Sequence, residues 1–313
     1  MNSIVLIIPY FGKWPIWFEA HLLSIEKNPT INWLFITDCE MPIDYPKNVR
    51  FVSTSLKELN IKVNTIVGAT VPLTTRKLCD IRPAYGKIFE EYLQDYDFWG
   101  FCDVDIIWGD IRKFITEDIL NQYDIISSRK GSISGHFTLI KNNFEFNTLY
   151  RQIPNYSKLF EKHKFMWFDE NVFTDYLKAN ESTLGINIYW PKILLNQEKG
   201  NDSRQEYYLD KWMWSNGKVI DINLNKEVLY LHFINWKKTM KVCEVKFLDS
   251  PKDFYISYSK IHYKKHSDLE LFLNSIKNVF KGYYSKLRRK KRIKKMKSLQ
   301  KRIIKKIQKI KGE

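Results

Sequence analysis

Nowhere does the 313-residue chain carry an apolar run of the roughly 20 residues that a bilayer crossing needs. No spanning helix is therefore expected. The start, Met1-Asn2-Ser3-Ile4-Val5-Leu6-Ile7-Ile8-Pro9, is apolar but short, and it lacks the basic lead and small-residue cleavage site of a secretory signal. It reads instead as the first core strand. Cysteine is scarce: Cys39, Cys79, Cys102 and Cys243 stand alone, without the paired spacing of zinc or redox sites. That argues against a disulfide framework and for a reducing, cytoplasmic setting. A Gly-rich phosphate loop followed by Lys is also missing, and the body has no internal repeat or low-complexity segment.

An excess of one charge is missing from most of the chain too, despite a formal net charge of +16. Residues 281–313 hold 16 of the 51 Lys and Arg but one of the 35 Asp and Glu, which leaves 35 basic and 34 acidic residues elsewhere, a net of +1. The basicity belongs to a tail, and the body offers no nucleic-acid surface by charge. With 44% hydrophobic and 15% aromatic residues, the body buries a large core and is not disordered.

What is present points to an α/β fold. Strand-like runs alternate with helical patterns, as in βαβ units with a mostly parallel sheet. Ile4 to Ile8, Trp33 to Thr37 and Val49 to Ser53 read as strands, with a helix from about Pro15 to Glu26 and another opened by the capping-box pattern Ser55-Leu56-Lys57-Glu58. Cys79 to Tyr96 is expected to be one helix with Pro83 in its first turn. Later strands are expected at Tyr123 to Ser127, His136 to Ile140, Ile186 to Trp190, Val219 to Ile222 and Val228 to Ile234, and a helix at Asp169 to Ala179. Asn196 to Trp214 has no clear period and reads as a loop over the site.

The chemistry concentrates in Asp97-Phe98-Trp99-Gly100-Phe101-Cys102-Asp103-Val104-Asp105, an apolar run ending in two carboxylates. Loss of alternation marks an inner strand of a covered sheet, so Asp103 and Asp105 fall at its carboxyl end, where open α/β sheets bind ligands. Two hard oxygen ligands there suit Mg²⁺ or Mn²⁺ carrying a phosphorylated substrate. The competing reading makes them loop carboxylates that cap the next helix, near Ile111 to Phe114.

Four segments in order, Ile4-Val5-Leu6-Ile7-Ile8-Pro9-Tyr10-Phe11, Asp103-Val104-Asp105, Asp169-Glu170 and Leu231-His232-Phe233-Ile234-Asn235-Trp236-Lys237, resemble the GT-A-fold, nucleotide-sugar-dependent glycosyltransferases of bacterial capsule and lipopolysaccharide synthesis. The resemblance covers about residues 1 to 240. It implies a Rossmann-type, mostly parallel sheet flanked by helices, with Pro9, Tyr10, Phe11 and Asp38 contacting the nucleoside. It further implies that Asp80 and Arg82 serve the diphosphate or an Asp ligand. The His232 segment is similar in part to glycosyltransferase family 8, which implies His232 as a third ligand to Mn²⁺ or Mg²⁺ and Lys237 beside the leaving diphosphate. It lacks that family's Gly and Pro.

Each position also has a bland reading. Tyr10 and Phe11 fit as core aromatics, Asp38 as a turn residue, Asp80 as a helix cap with Arg82 on the surface, and His232 as a structural histidine. Asp169 and Glu170 suit an acceptor base or sugar contact, and equally a helix N-terminus. Ser134-Gly135-His136 and one or two of Trp167, Trp190, Trp212 and Trp214 are candidates to line a sugar pocket.

The expected organisation is a catalytic unit over 1–245, a helical extension packed on it over 246–280, and a basic amphipathic helix over 281–313. In that helix Ile293, Met296, Leu299, Ile303, Ile304, Ile307 and Ile310 form one apolar stripe among cations, the pattern of a helix lying on an anionic membrane surface. The functional expectation is a metal-dependent glycosyltransferase, peripheral on the inner face of the plasma membrane. It would take a UDP-sugar or another nucleotide-diphosphate sugar to a glycan or lipid-linked glycan acceptor, with no nucleic-acid partner. The alternatives are a nucleotidyltransferase or metal phosphohydrolase, and a non-catalytic carbohydrate-binding protein.

Overall fold

The computed structural model describes residues 1–190, 209–234 and 236–311. Of the expected loop over the site, residues 196–208 lie outside the described residues, as does Asn235.

Seven strands form the central sheet: β1 (Ile4–Tyr10), β2 (Ile31–Thr37), β3 (Val49–Ser53), β4 (Phe98–Cys102), β6 (Ile125–Ser127), β7 (Phe137–Lys141) and β8 (Ile188–Tyr189), in the spatial order β3-β2-β1-β4-β7-β6-β8. The first four are mutually parallel, with Ile4 opposite both Ile31 and Phe98, and only β7 runs against its neighbours. This is the mostly parallel α/β sheet expected from the sequence. Along β1, Val5 and Ile7 enter one core and Ile4, Leu6 and Ile8 the other. Successive side chains face opposite sides of a strand. Both sides are covered here, which is why the run is apolar without alternation.

Helix α1 (Phe18–Glu26) lies between this sheet and a second layer. It is buried nearly all round: Leu22 and Ile25 join the central-sheet core, and Ala20 and Leu23 join the next one. Helix α2 (Leu56–Val67) begins as its sequence pattern requires, with Ser55 and Glu58 exchanging both capping-box hydrogen bonds. The single helix expected at Cys79 to Tyr96 is instead a chain of short turns, Lys77–Cys79, Arg82–Ala84, Tyr85–Ile88 and Glu90–Tyr92. Pro83 has no N–H to extend a preceding helix, and apolar side chains such as Ile81, Tyr85, Ile88 and Phe89 hold the irregular turns by burial.

After β4 the chain turns through Asp103 and Asp105 into β5 (Ile106–Trp108). That strand pairs antiparallel with β12 (Tyr230–His232), and His232 stands opposite Ile106. The strand expected at Val228 to Ile234 is therefore two, since β11 (Lys226–Val228) pairs with β10 (Lys218–Asp221) instead. β9 (Trp212–Ser215), β10, β11, β13 (Val242–Cys243), β14 (Asp253–Ile256) and β15 (Lys260–His262) form a six-stranded second sheet. A boundary at 245 runs through this sheet. The expected helical extension at 246–280 is helical only over Asp268–Phe280, because Phe254 and Ile256 alternate into the second core against Trp212 and Trp214. No described helix is long and apolar enough to cross a membrane.

Candidate metal centre and crevice

The end of β4 carries Asp103 and the start of β5 follows Asp105, so the two carboxylates stand on a short buried bend. The pairing of β12 with β5 adds His232, and Phe233 N–H donates to Asp105 O at 3.2 Å. One ligand atom from each of Asp103, Asp105 and His232 lies within 4.8 Å of the others. His232 Nε2 is 3.3 Å from Asp105 Oδ2 and 3.6 Å from Asp103 Oδ2. Lys237 Nζ reaches Asp105 Oδ2 at 3.0 Å. Asp105 is 4% exposed, and the groups facing its Oδ2, His232 Nε2 and Lys237 Nζ, both carry positive charge when protonated. Two carboxylates and an imidazole fit a divalent metal ion. The capping alternative does not hold, because Asp110 caps the next helix by accepting Lys113 N–H at 3.1 Å.

The electrostatics are those of a site built around positive charge. Burial opposes ionisation of Asp103, but Arg82 and then His232 outweigh it and hold the carboxyl well below its usual range. Asp105 is lowered likewise, with His232 and Lys237 overcoming desolvation. Burial opposes the charged form of His232, and Asp105 and Asp103 push its pKa up to about 9. A metal binding there must displace that proton.

Arg82 ties the centre to the third acidic element. Its Nη2 donates to Asp103 Oδ1 at 2.6 Å and its Nη1 to Asp169 Oδ2 at 3.1 Å, one prong of the planar fork to each carboxylate. Asp169 is the second residue of the turn Phe168–Phe173, whose wide helical winding runs into the helix Thr174–Leu184. Burial raises the Asp169 carboxyl to about 6, with Glu170 adding and Arg82 opposing. Glu170 lies 3.4 Å from Arg129 Nη1. Gly135 closes this corner: a Cβ there would stand 2.5 Å from Arg82 Nη1 and 3.2 Å from Asp169 Oδ2. The clamp therefore needs a residue without a side chain at 135.

Asp103, Asp105, Arg82 and Lys237 line a crevice of about 310 Å³ with Pro9 and Tyr10 from the end of β1. A larger groove of about 780 Å³ lies beside it, walled by Trp14, Met41, Ile43 and Phe247, and holds none of these charged groups. The other sequence candidates have different places. Phe11 packs on the central core. Asp38 is exposed and accepts Gly12 N–H at 2.7 Å, tying the β1 and β2 loops together. Asp80 is fully buried; it pairs with Lys77 at 2.9 Å and accepts the N–H groups of Met166 and Phe168 at 3.0 Å. It braces the loop that presents Asp169 rather than facing the crevice. Trp212 and Trp214 are core residues, whereas Trp167 is 43% exposed.

Sequence reasoning missed the support behind His232. The His136 ring stacks on it at 4.4 Å, and His136 Nδ1 and Ser128 Oγ each lie 2.6 Å from Tyr230 Oη. Burial, then the neighbouring His232, keeps His136 neutral. One signal was available: Tyr230 and His232 are two apart in a strand and so share a face. His232→Ala is expected to weaken apparent Mn²⁺ affinity by about 10- to 100-fold, measured by titration, with excess metal restoring part of any activity. An unchanged titration with lower thermal stability would make His232 a core residue only.

A family model described as a family of unknown function, DUF6625, matches residues 6–265. No curated protein matches the chain. Among solved structures, galactosyltransferase LgtC in complex with donor and acceptor sugar analogues is 10% identical, with a TM-score of 0.33 over 53% of this chain and 72% of that one. An active-site mutant of LgtC is also 10% identical, with a TM-score of 0.39 over 73% of this chain and 87% of that one. Apo glycosyltransferase GlyE of Streptococcus pneumoniae TIGR4 is 10% identical, with a TM-score of 0.34 over 60% of this chain and 45% of that one. At these scores the likeness lends no weight to a function, which has to come from the side chains.

Proposed function

The chain belongs to the DUF6625 family, and we propose that it is a metal-dependent glycosyltransferase that moves a sugar from a nucleotide-diphosphate donor, a UDP-sugar, to a glycan or lipid-linked glycan. The observation that carries this reading is the group of Asp103, Asp105 and His232 within 4.8 Å, whose two carboxylates, at the carboxyl end of an inner strand, line a crevice together with Lys237 and Arg82. In this reading the products are capsular polysaccharide or lipopolysaccharide, and the tail over 281–313 holds the enzyme on the inner face of the plasma membrane.

Asp103, Asp105 and His232 would hold Mn²⁺ or Mg²⁺, which supplies Lewis-acid neutralisation of the departing diphosphate. Lys237 adds a cation on the same side. The acceptor hydroxyl gives its proton to the Asp169 carboxylate as its oxygen bonds to the anomeric carbon. The bond from that carbon to the diphosphate oxygen breaks, and its electron pair leaves with the diphosphate. An Asp169 pKa of about 6 suits a base at neutral pH, being mostly ionised yet more basic than a surface carboxylate. Glu170, the next residue, faces Arg129 at 3.4 Å.

Screening nucleotide sugars for Mn²⁺-dependent hydrolysis tests the reading; turnover of one donor is expected, and none by any donor would remove it. Two further outcomes are expected. Transfer should rise with pH through an ionisation near 6 that Asp169→Asn abolishes. Stability should move the other way in that window. A carboxyl raised in the folded state contributes stability that is complete below its unfolded value near 4 and is lost as pH rises through 6, about 3 kcal/mol for a shift of about two units. Melting curves at pH 4 to 7 should show that loss in the wild type and not in Asp169→Asn. Deleting 281–313 should weaken binding to anionic vesicles at low salt and leave donor hydrolysis intact; equal vesicle binding by the truncated chain would contradict the role of the tail.

A further inference from the structure

We infer that the membrane anchor has two parts and begins before the basic tail: the helix Asp268–Phe280 inserts its apolar face into an anionic bilayer, and the cationic helix Tyr283–Lys311 holds the phosphates beside it. This deepens the membrane reading above and does not depend on the sugar chemistry. The first helix starts on a complete capping box, Ser267 with Glu270, so its N-terminus is satisfied without neighbours. Its one buried residue is Asn278, whose Nδ2 donates to Asp210 Oδ2 at 2.9 Å. Leu269, Phe272, Leu273, Ile276, Val279 and Phe280 recur at helical spacing on one face, and all are 39–87% exposed. A helix with such a stripe normally buries it against a core. Here the core is on the other side.

Gly282, at φ +70°, breaks the chain between the two helices. Tyr283, the first residue of the second helix, stacks on Tyr258 at 5.1 Å and meets Trp236 edge-on at 5.9 Å. Trp236 precedes Lys237, which reaches Asp105. The root of the anchor is thus packed on the residue next to Lys237. Along the second helix Ile293, Met296, Leu299, Ile303 and Ile304 are also exposed, by 42–58%.

Charge selects the occupant. A second copy would bring the same 16 cations and one anion of 281–313 against this one, and like charges repel. A nucleic acid would satisfy the cations but offers no apolar phase to two Phe and four aliphatic side chains. An anionic bilayer supplies both, headgroup phosphates for Lys and Arg and a hydrocarbon boundary for the stripe.

The test uses the full-length protein and vesicles of phosphatidylglycerol and phosphatidylcholine, at about 0.1 M and about 1 M salt, where the Debye length falls from about 10 to about 3 Å. Phe272→Ser with Phe280→Ser should weaken binding at 1 M salt at least about tenfold, as expected for losing two inserted aromatics. Phe272→Leu with Phe280→Leu should bind as the wild type does. Replacing Arg288, Arg289, Arg292 and Lys295 by Gln should weaken binding at 0.1 M salt and leave it little changed at 1 M. Circular dichroism confirms that each variant is folded, as expected for exposed positions. Wild-type binding by the double Ser variant at 1 M salt would overturn the insertion. So would self-association abolished by the same variant with no vesicle binding, or tight RNA binding with none to vesicles. Unchanged low-salt binding by the Gln variant would count against the tail's electrostatic role alone.

Discussion

Asp105→Asn is expected to lower metal-dependent turnover at least about 100-fold while leaving the fold in place. The substitution keeps the side chain's volume, so no cavity opens in a residue that is 4% exposed. What it removes is the negative charge that faces both His232 Nε2 at 3.3 Å and Lys237 Nζ at 3.0 Å. Loss of a direct ligand should cost at least as much as the upper end of the 10- to 100-fold seen when groups behind a ligand are removed. The loss of that carboxylate should also bring the His232 pKa down from about 9, since Asp105 contributes most to raising it. Near wild-type turnover by this variant in Mn²⁺ would dismiss the metal-site assignment. Histidine titration by NMR reads the electrostatic half independently.

The second large effect is expected at Arg82. Arg82→Ala leaves Asp103 and Asp169 without the guanidinium that each one contacts, and the two carboxylates then face one another across a mostly buried corner. Removing one partner of a buried ion pair costs about 3 to 5 kcal/mol, with the lower end apt here because Asp103 is a quarter exposed. Because unpaired carboxylates are tolerated when protonated, the deficit should shrink as pH falls. Arg82→Lys should rescue little: an ammonium is a point donor and cannot span Asp103 and Asp169 with a rigid fork. Urea melts at pH 5 and pH 8 measure the deficit. A deficit independent of pH and repaired by Lys would show that Arg82 acts by packing alone.

How much of this was legible in the sequence follows from how local each signal is. β1 and β4 announce themselves because strands covered on both faces must be apolar throughout. Ser55 and Glu58 predict their helix start because a capping box spans only four residues. The acidic pair was legible for the same reason, being contiguous with the strand that delivers it. His232 is different: it meets Asp105 through pairing of β5 with β12, a contact that spans more than a hundred residues, and only the family resemblance brought it forward. Gly135 and His136 were read only as pocket lining, and Tyr230 carried no local mark, because the packing of Gly135 on Arg82 and of His136 on Tyr230 and His232 joins distant segments of the chain. Asp80 misled for the opposite reason. Its spacing before the acidic strand suits a ligand contact, but Lys77 and two backbone N–H groups claim it. The extension over 246–280 was expected to pack on the body, but Leu269 to Phe280 leave their apolar face exposed, and whether such a face meets a core or something else depends on neighbours that no local pattern encodes.

The most direct test is calorimetric titration of Mn²⁺ into the protein at pH 7.5, in buffers of different ionisation enthalpy, with His232→Ala as the comparison. Because Asp105 and Asp103 hold His232 protonated up to about pH 9, and a metal requires the neutral ring, the account predicts binding with release of close to one proton per chain. His232→Ala should bind more weakly and release none. Absence of Mn²⁺ and Mg²⁺ binding by the wild type, or binding with the same proton release in His232→Ala, would contradict a metal centre made by Asp103, Asp105 and His232.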